Sequence, residues 1–403
     1  MQRVVIVGAS LAGLRAAETL RQAGFDGEVV LVGAETHLPY DRPPLSKQVL
    51  AGEWEPDRIG LRPTEVYDEM QLDLRLGRTA RTLDLAARRV VLDGDEPLPF
   101  DGLVIATGAV PRTLPGTPAV AGIHVLRTLD DCLAIRAELD AGARRVVVVG
   151  AGFIGAEVAA TARRRGLEVT ILEALPVPLG RALGEEMGRV CGELHRDHGV
   201  DLRLGVGVEG FDGTDRVAAV RLADGSRVEA DVVVVGIGVR PATDWLEGSG
   251  LTLRDGVVCD ERSAAVGAAG VFAAGDVARW PNPLFGEEMR VEHWTNAVEQ
   301  GDAAARNLLA WARGEPGEPF APVPYFWSDQ YDTKIQFVGR AAPGDRVAVV
   351  RGSVAERKFV AIYGREGRVV GCLGFSMPRW VMQFRRLIAE RATWDDALAL
   401  AAA

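Results

Sequence analysis

Lysine is almost missing from this 403-residue chain: of 46 basic residues only Lys47, Lys334 and Lys358 are lysine, and the rest are arginine. In so arginine-biased a chain, a retained lysine suggests a site that needs a compact ammonium and would not fit a planar guanidinium. Cysteine is scarce too. Cys132, Cys191, Cys259 and Cys372 stand far apart with no Cys-x-x-Cys, which excludes a disulfide framework and a paired-thiol redox centre. No apolar run approaches the ~18 residues a membrane span requires. The longest are strand-sized, as at 145–149 and 231–235. A basic excess is also lacking. The net charge of −10 argues against nucleic acid, because phosphate binding calls for a basic footprint. The first strand-forming run starts at Arg3, which leaves no room for a signal peptide, so a cytoplasmic protein without membrane attachment is expected.

Apolar residues at 48% and charged residues at 25% are ordinary for a globular protein and exclude a disordered or fibrous chain. At ~150 residues per domain the length suggests two or three domains. The charge is uneven: residues 319–403 hold 12 Lys and Arg against 8 Asp and Glu, net +4, which leaves the first 318 residues at −14.

One pattern occurs twice. A β-branched run ends at Gly8-Ala9-Ser10-Leu11-Ala12-Gly13, an amphipathic helix follows to about Gln22, and a second strand at 29–32 leads to Glu35. It begins again at Arg145: an apolar run, Gly150-Ala151-Gly152-Phe153-Ile154-Gly155, a helix to about Arg165, and a strand at 169–172 ending on Glu173. Strand, glycine turn, helix and strand make the fingerprint of a dinucleotide-binding βαβ unit. The first glycine makes the tight turn, the second admits a pyrophosphate to the backbone, and the third lets helix pack on strand. The helix N-terminus offers N–H donors and a positive dipole end to the phosphates. The carboxylate accepts ribose hydroxyls. Glu35 lies 22 residues after Gly13 and Glu173 lies 18 after Gly155, near the ~20 that the geometry asks for. Ser10 stands where the first motif should carry its middle glycine; its side chain is small enough to allow close approach.

Other strand ends complete the two units. Residues 103–105 lead into Ala106-Thr107-Gly108, residues 271–273 into Ala274-Gly275-Asp276, and residues 232–235 into Gly236-Ile237-Gly238. Ligands of open α/β sheets sit outside the carboxyl ends of the strands, so Asp276 either accepts ligand hydroxyls or is an ordinary helix N-cap. From about Glu318 short strands alternate with Gly and Pro turns, and a helix is expected from Arg379 to Arg391. The fold expected is α/β: two Rossmann-like dinucleotide-binding domains plus a C-terminal α+β module. The first domain comprises 1–110 and 241–317, the second 111–240 and the module 318–403.

Pro39-Tyr40-Asp41-Arg42-Pro43-Pro44-Leu45-Ser46-Lys47 resembles the signature of the FAD-dependent NADH–ferredoxin reductases that serve bacterial oxygenases. Gly150–Glu157 read as Gly-x-Gly-x-x-Gly-x-Glu, Gly238-Val239-Arg240-Pro241, Glu292-His293-Trp294 and Tyr325-Phe326-Trp327-Ser328-Asp329-Gln330 match in the same order. The resemblance spans nearly the whole chain. It implies FAD in the first domain, with Gly8, Ser10, Gly13, Glu35, Arg42, Lys47, Ala106, Thr107, Gly108, Asp276, Glu292, Trp294 and Trp327 around it. It implies NADH in the second, held by Gly150, Gly152, Gly155, Glu157, Glu173 and Gly238. In the family pattern the residue at Ala34 is acidic; here the ribose contact rests on Glu35. Disulfide reductases and peroxidases of this fold keep cysteine soon after the FAD helix, and residues 36–60 contain none.

The resemblance puts Lys47 beside the flavin N5 with Glu157 as its partner, as the catalytic pair. A cation there would stabilise negative charge on the reduced flavin in a water-poor site. Otherwise Lys47 merely solvates the pyrophosphate and Glu157 is a first-turn acid favoured by the helix dipole. Arg42 touches the isoalloxazine or the phosphates, or is a surface ion pair. Glu173, with no arginine in 174–180, repels a 2′-phosphate and favours NADH. Cys191, His195 and His198 share one helical face at metal-ligand spacing, but no other cluster completes a site. A charged surface helix without metal is expected there.

The implied activity is electron transfer from NADH through FAD to a small acidic iron–sulfur ferredoxin that feeds a downstream oxygenase. Rubredoxin or oxygen as acceptor is the nearest alternative. A redox-controlled binding protein, resembling apoptosis-inducing factor, would need a targeting segment or a basic patch, and neither is visible. The C-terminal helix offers Arg379, Arg385 and Arg386 opposite an apolar stripe of Trp380, Val381, Phe384, Leu387 and Ile388, either as a ferredoxin-docking arc or as a solvated face.

Overall fold

The computed structural model describes residues 1–402, which divide into two compact units. One comprises 1–41, 59–110 and 240–324; the other comprises 42–58, 111–239 and the chain from Tyr325 onward.

The first unit is built on a five-stranded parallel sheet in the order Val271–Ala273, Gly102–Ile105, Arg3–Val7, Glu28–Gly33, Leu72–Leu76. Its central strand is apolar on both faces because both are covered, as parallel sheets require. Val5 and Val7 enter one core cluster with Trp280, Phe100 and Leu246. Val4 and Ile6 enter another, under the helices Leu11–Gln22 and Trp294–Arg313.

The second unit repeats the plan: Asp201–Leu204, Glu168–Glu173, Arg145–Val149, Val232–Val235, Ile123–His124, again all parallel. The repetition reaches beyond the glycine turns. In both units a three-stranded antiparallel insert, 80–99 or 208–229, joins the strand at the sheet edge (Leu72–Leu76 or Asp201–Leu204) to the strand on the far side of the centre. Neither insert nor edge strand was visible in the sequence pattern, since short half-buried strands carry little periodicity.

The same unit contains a five-stranded antiparallel sheet in the order Tyr325–Gln330, Thr333–Gly339, Arg368–Phe375, Lys358–Arg365, Arg346–Ser353. The helix Pro378–Ala389 buries Val381, Phe384 and Ile388; Trp380 and Leu387 are half-buried. A last helix, Trp394–Ala402, had not been expected.

The helix Gly180–Asp197 corrects one expectation. It is not a charged surface helix on its Cys/His face. Cys191 and His195 are fully buried, and Cys191 and Leu194 pack with Phe337, Phe359 and Phe375 of the antiparallel sheet. His195 Nδ1 lies 2.8 Å from the Tyr331 hydroxyl, and the His198 ring stacks on Tyr331 at 3.7 Å. The spacing that suggested ligands is the spacing of a buried helical stripe.

Candidate active site

The two glycine turns can be read atom by atom. Gly8 has φ +122°, and a Cβ there would lie 2.1 Å from the Ala106 carbonyl oxygen; one on Gly13 would lie 1.9 Å from the Gly8 oxygen. In the second turn Gly150 has φ +98°, and a Cβ on Gly155 would lie 2.1 Å from the Gly150 oxygen. These glycines answer to the chain itself. Gly152 does not: its φ is −74°, and a Cβ would meet nothing within 4 Å. Neither strain nor packing requires glycine there; the backbone is left open, as it is at the middle glycine of a dinucleotide turn. The residue also begins the helix Phe153–Arg164, whose first N–H groups face outward without intrahelical acceptors. A dinucleotide diphosphate fits this donor set.

Glu173 ends the neighbouring strand. Its Oε2 accepts the Ala151 N–H at 2.6 Å and its Oε1 the Leu175 N–H at 2.9 Å, so the carboxylate braces the glycine turn while keeping lone pairs for ribose hydroxyls. Gly238, φ +99° with open space at its Cβ, lies just beyond the parallel strand Val232–Val235.

In the first unit Ser10 is the N-cap of Leu11–Gln22, with extended backbone, and Glu35 follows Glu28–Gly33, accepting the Tyr40 hydroxyl. Ala106, Thr107 and Gly108 leave the next strand; the Thr107 hydroxyl donates to the Ala242 carbonyl at 2.9 Å, and Gly108 has φ +69°. Asp276 lies in the short turn Gly275–Val277, not at a helix N-cap, and its carbonyl accepts from Arg290. Arg290 pairs with Glu292 at 2.7 Å, and the partly exposed Trp294 donates its indole N–H to Asp41 at 2.7 Å. Acceptors and donors thus gather at the carboxyl ends of one parallel sheet, the arrangement that suits the ribose and diphosphate of FAD.

Lys47 and Glu157 are 110 residues apart in sequence and meet in the second unit: Lys47 Nζ donates to Glu157 Oε2 at 2.7 Å, and both are buried. A buried ion pair is stable only when its remaining atoms are also bonded. Here they are. Ser46 Oγ donates to the same Oε2, and Ser328 Oγ donates to Oε1 at 2.8 Å. Thr161, one turn along the helix from Glu157, ties down the Ser46 carbonyl at 2.8 Å, and Cys132 Sγ donates to the Leu45 carbonyl. Arg42, in the same segment, donates to the Arg127 carbonyl at 2.6 Å. Trp327 lies on the opposite face of its strand from Ser328, half-buried beside Tyr325.

Sequence reasoning assigned no role to Ser46, Ser328 or Gln330. The signal was present: Tyr325–Gln330 alternates, and its inward positions are Phe326, Ser328 and Gln330. Two polar residues on the buried face of a strand need buried polar partners. All four cysteines are buried, and burial pushes the thiols of Cys132, Cys191 and Cys259 up to about 12. Thiolate chemistry is thereby disfavoured. No helix among the described residues is long and apolar enough to cross a membrane.

Residues 2–301 match the family model for the pyridine nucleotide-disulphide oxidoreductases, and residues 325–403 match that for the reductase C-terminal domain. The chain is 40% identical to the ferredoxin–NAD(+) reductase component of the anthranilate 1,2-dioxygenase system of Burkholderia cepacia, over 97% of this chain and 95% of that protein. It is 38% identical to rhodocoxin reductase of Rhodococcus erythropolis, over 96% and 89%. Among solved structures, the covalent putidaredoxin reductase–putidaredoxin complex superposes with a TM-score of 0.91 at 35% identity, covering 97% of this chain and 93% of that one.

Proposed function

The chain belongs to the pyridine nucleotide-disulphide oxidoreductase family and carries its reductase C-terminal domain, and from that premise we propose that it passes electrons from NADH through FAD to a small iron–sulfur ferredoxin feeding an oxygenase. It is an oxidoreductase, with FAD and NADH as cofactors. The observation that carries the acceptor class is the buried Lys47–Glu157 pair in a chain whose four thiols are all buried. The family's name refers to disulfide chemistry. This chain has no accessible thiol for it, and places a fixed ion pair in the segment where relatives of that kind keep cysteine.

FAD, when bound, accepts a hydride equivalent and releases single electrons. The chain's own residues bind, orient and hold charge. In this reading Gly8, Ser10, Gly13, Glu35, Arg42, Ala106, Thr107, Gly108, Asp276, Glu292 and Trp294 hold FAD, in a domain spanning 1–110 and 241–317, together with Trp327 of the module 318–403. Gly150, Gly152, Gly155, Glu173 and Gly238 hold NADH, in 111–240. Lys47, oriented by Glu157, acts at the flavin. The module 318–403 contributes to the partner surface: Arg379 and Arg386 are exposed and Arg385 is half-buried, and this arc suits a small acidic ferredoxin. On this reading the enzyme works in the cytoplasm, where an NADH pool would supply it.

The test is steady-state turnover of the FAD-loaded enzyme with NADH or NADPH and with ferredoxin, rubredoxin, ferricyanide or oxygen as acceptor. NADH with an oxygenase-type ferredoxin should give the highest kcat/KM. Faster turnover with oxygen or rubredoxin would overturn the reading.

A further inference from the structure

The Glu157 carboxylate is reached from the antiparallel sheet as well as from Lys47. Ser328 and Gln330 share the inward face of Tyr325–Gln330; Gln330 Nε2 donates to Ser328 Oγ at 3.1 Å, and Ser328 Oγ donates to Glu157 Oε1 at 2.8 Å. A hydroxyl has one proton to give. With the Gln330 amide as donor on one side, the Ser328 proton is directed to Glu157. Ser46 and Lys47 donate to the other oxygen. Both oxygens therefore face donors, which holds the carboxylate in one orientation. Ser328, Gln330 and Glu157 are all buried, and Gln330 Oε1 has no hydrogen-bond partner among the described residues, so the amide is held here at a cost.

We propose that Ser328 and Gln330 are positioning residues that hold the Glu157 carboxylate against Lys47, fixing the geometry of the pair that acts on the flavin; this rests on the role given to Lys47 and Glu157 above. Lys47 is the charged group in contact with Glu157. From the strand Tyr325–Gln330, Asp329 points to the other face and pairs with Lys334 at 2.9 Å. From Glu168–Glu173, Glu173 is bonded to the Ala151 and Leu175 N–H groups. In Arg145–Val149, Arg145 at the far end is bonded to Asp231 and Glu229, and Val232–Val235 is all valine.

The experiment follows the flavin midpoint potential and stopped-flow reduction by NADH in the FAD-loaded enzyme and its variants. Ser328→Ala should slow reduction at least about tenfold, since one charge-assisted hydrogen bond is lost, and should move the potential in the same direction as Lys47→Met. Gln330→Leu should do so less, and Ser328→Thr should restore both. Parent-like potential and reduction in Ser328→Ala, with both altered in Lys47→Met, overturn the inference and leave the flavin reading standing. Parent-like potential and reduction in both Ser328→Ala and Lys47→Met overturn both.

Discussion

Glu173 Oε2 accepts the Ala151 N–H at 2.6 Å, so the carboxylate that ends one parallel strand holds the glycine turn that follows its neighbour. In the proposed reading, cofactor choice and turn geometry are therefore linked in one side chain. Glu173→Gln combined with Ala174→Arg removes the repulsion of a 2′-phosphate and adds an attraction. The ratio of kcat/KM for NADPH over NADH should rise at least about tenfold, the effect of about 1.4 kcal/mol. An unchanged ratio would remove Glu173 from nicotinamide selection.

Gly152 and Gly155 should part company on substitution. Gly152→Ala meets no protein atom, so urea stability should change by under about 1 kcal/mol while KM for NADH rises. Gly155→Ala drives a methyl to within 2.1 Å of the Gly150 oxygen and should destabilise the fold itself. Equal stability losses would show that packing, not ligand approach, requires Gly152.

Breaking the Lys47–Glu157 pair from one side leaves a buried charge uncompensated. Lys47→Met should cost about 3–5 kcal/mol in urea unfolding, and Lys47→Met with Glu157→Gln should recover most of that. Both variants should retain FAD, and both should be reduced by NADH more slowly in stopped flow. Loss of FAD with normal reduction of the bound fraction would make Lys47 a binding residue only.

His195 is buried and neutral: burial, with His198 nearby, lowers its pKa to about 4. The unfolded chain takes up this proton near pH 6.5, the folded one only near 4, so the unfolded state binds more protons between them and stability falls as pH drops through that window. The loss from pH 7 to 4 should be about 3 kcal/mol. His195→Gln should flatten this part of the pH profile of urea midpoints. A parallel profile would assign the acid sensitivity elsewhere.

The arginine arc is a surface prediction. Arg386 is exposed and pairs with Glu390 at 2.7 Å, an exposed pair that holds it weakly. Arg379→Glu with Arg386→Glu should slow reduction of a cognate ferredoxin, most at low salt where screening is least, and leave ferricyanide reduction unchanged. If both acceptors respond alike, the arc does not dock the partner.

The sequence by itself determined the two glycine turns, the strands and helices that flank them, and the absence of a catalytic thiol, because each is a local pattern. A turn needs glycine where φ is positive, a parallel strand buried on both faces is apolar throughout, and a carboxylate closes the unit about 20 residues on. It also singled out Lys47, through the scarcity of lysine. What only the tertiary structure decided is which buried polar groups meet. Ser46, Ser328 and Glu157 lie in three separate stretches of chain, and their convergence on one carboxylate has no periodicity to read. The same holds for Cys191 and His195, whose helical spacing suits a metal, a solvated face or a core equally well. The aromatic sheet that covers them chose the core.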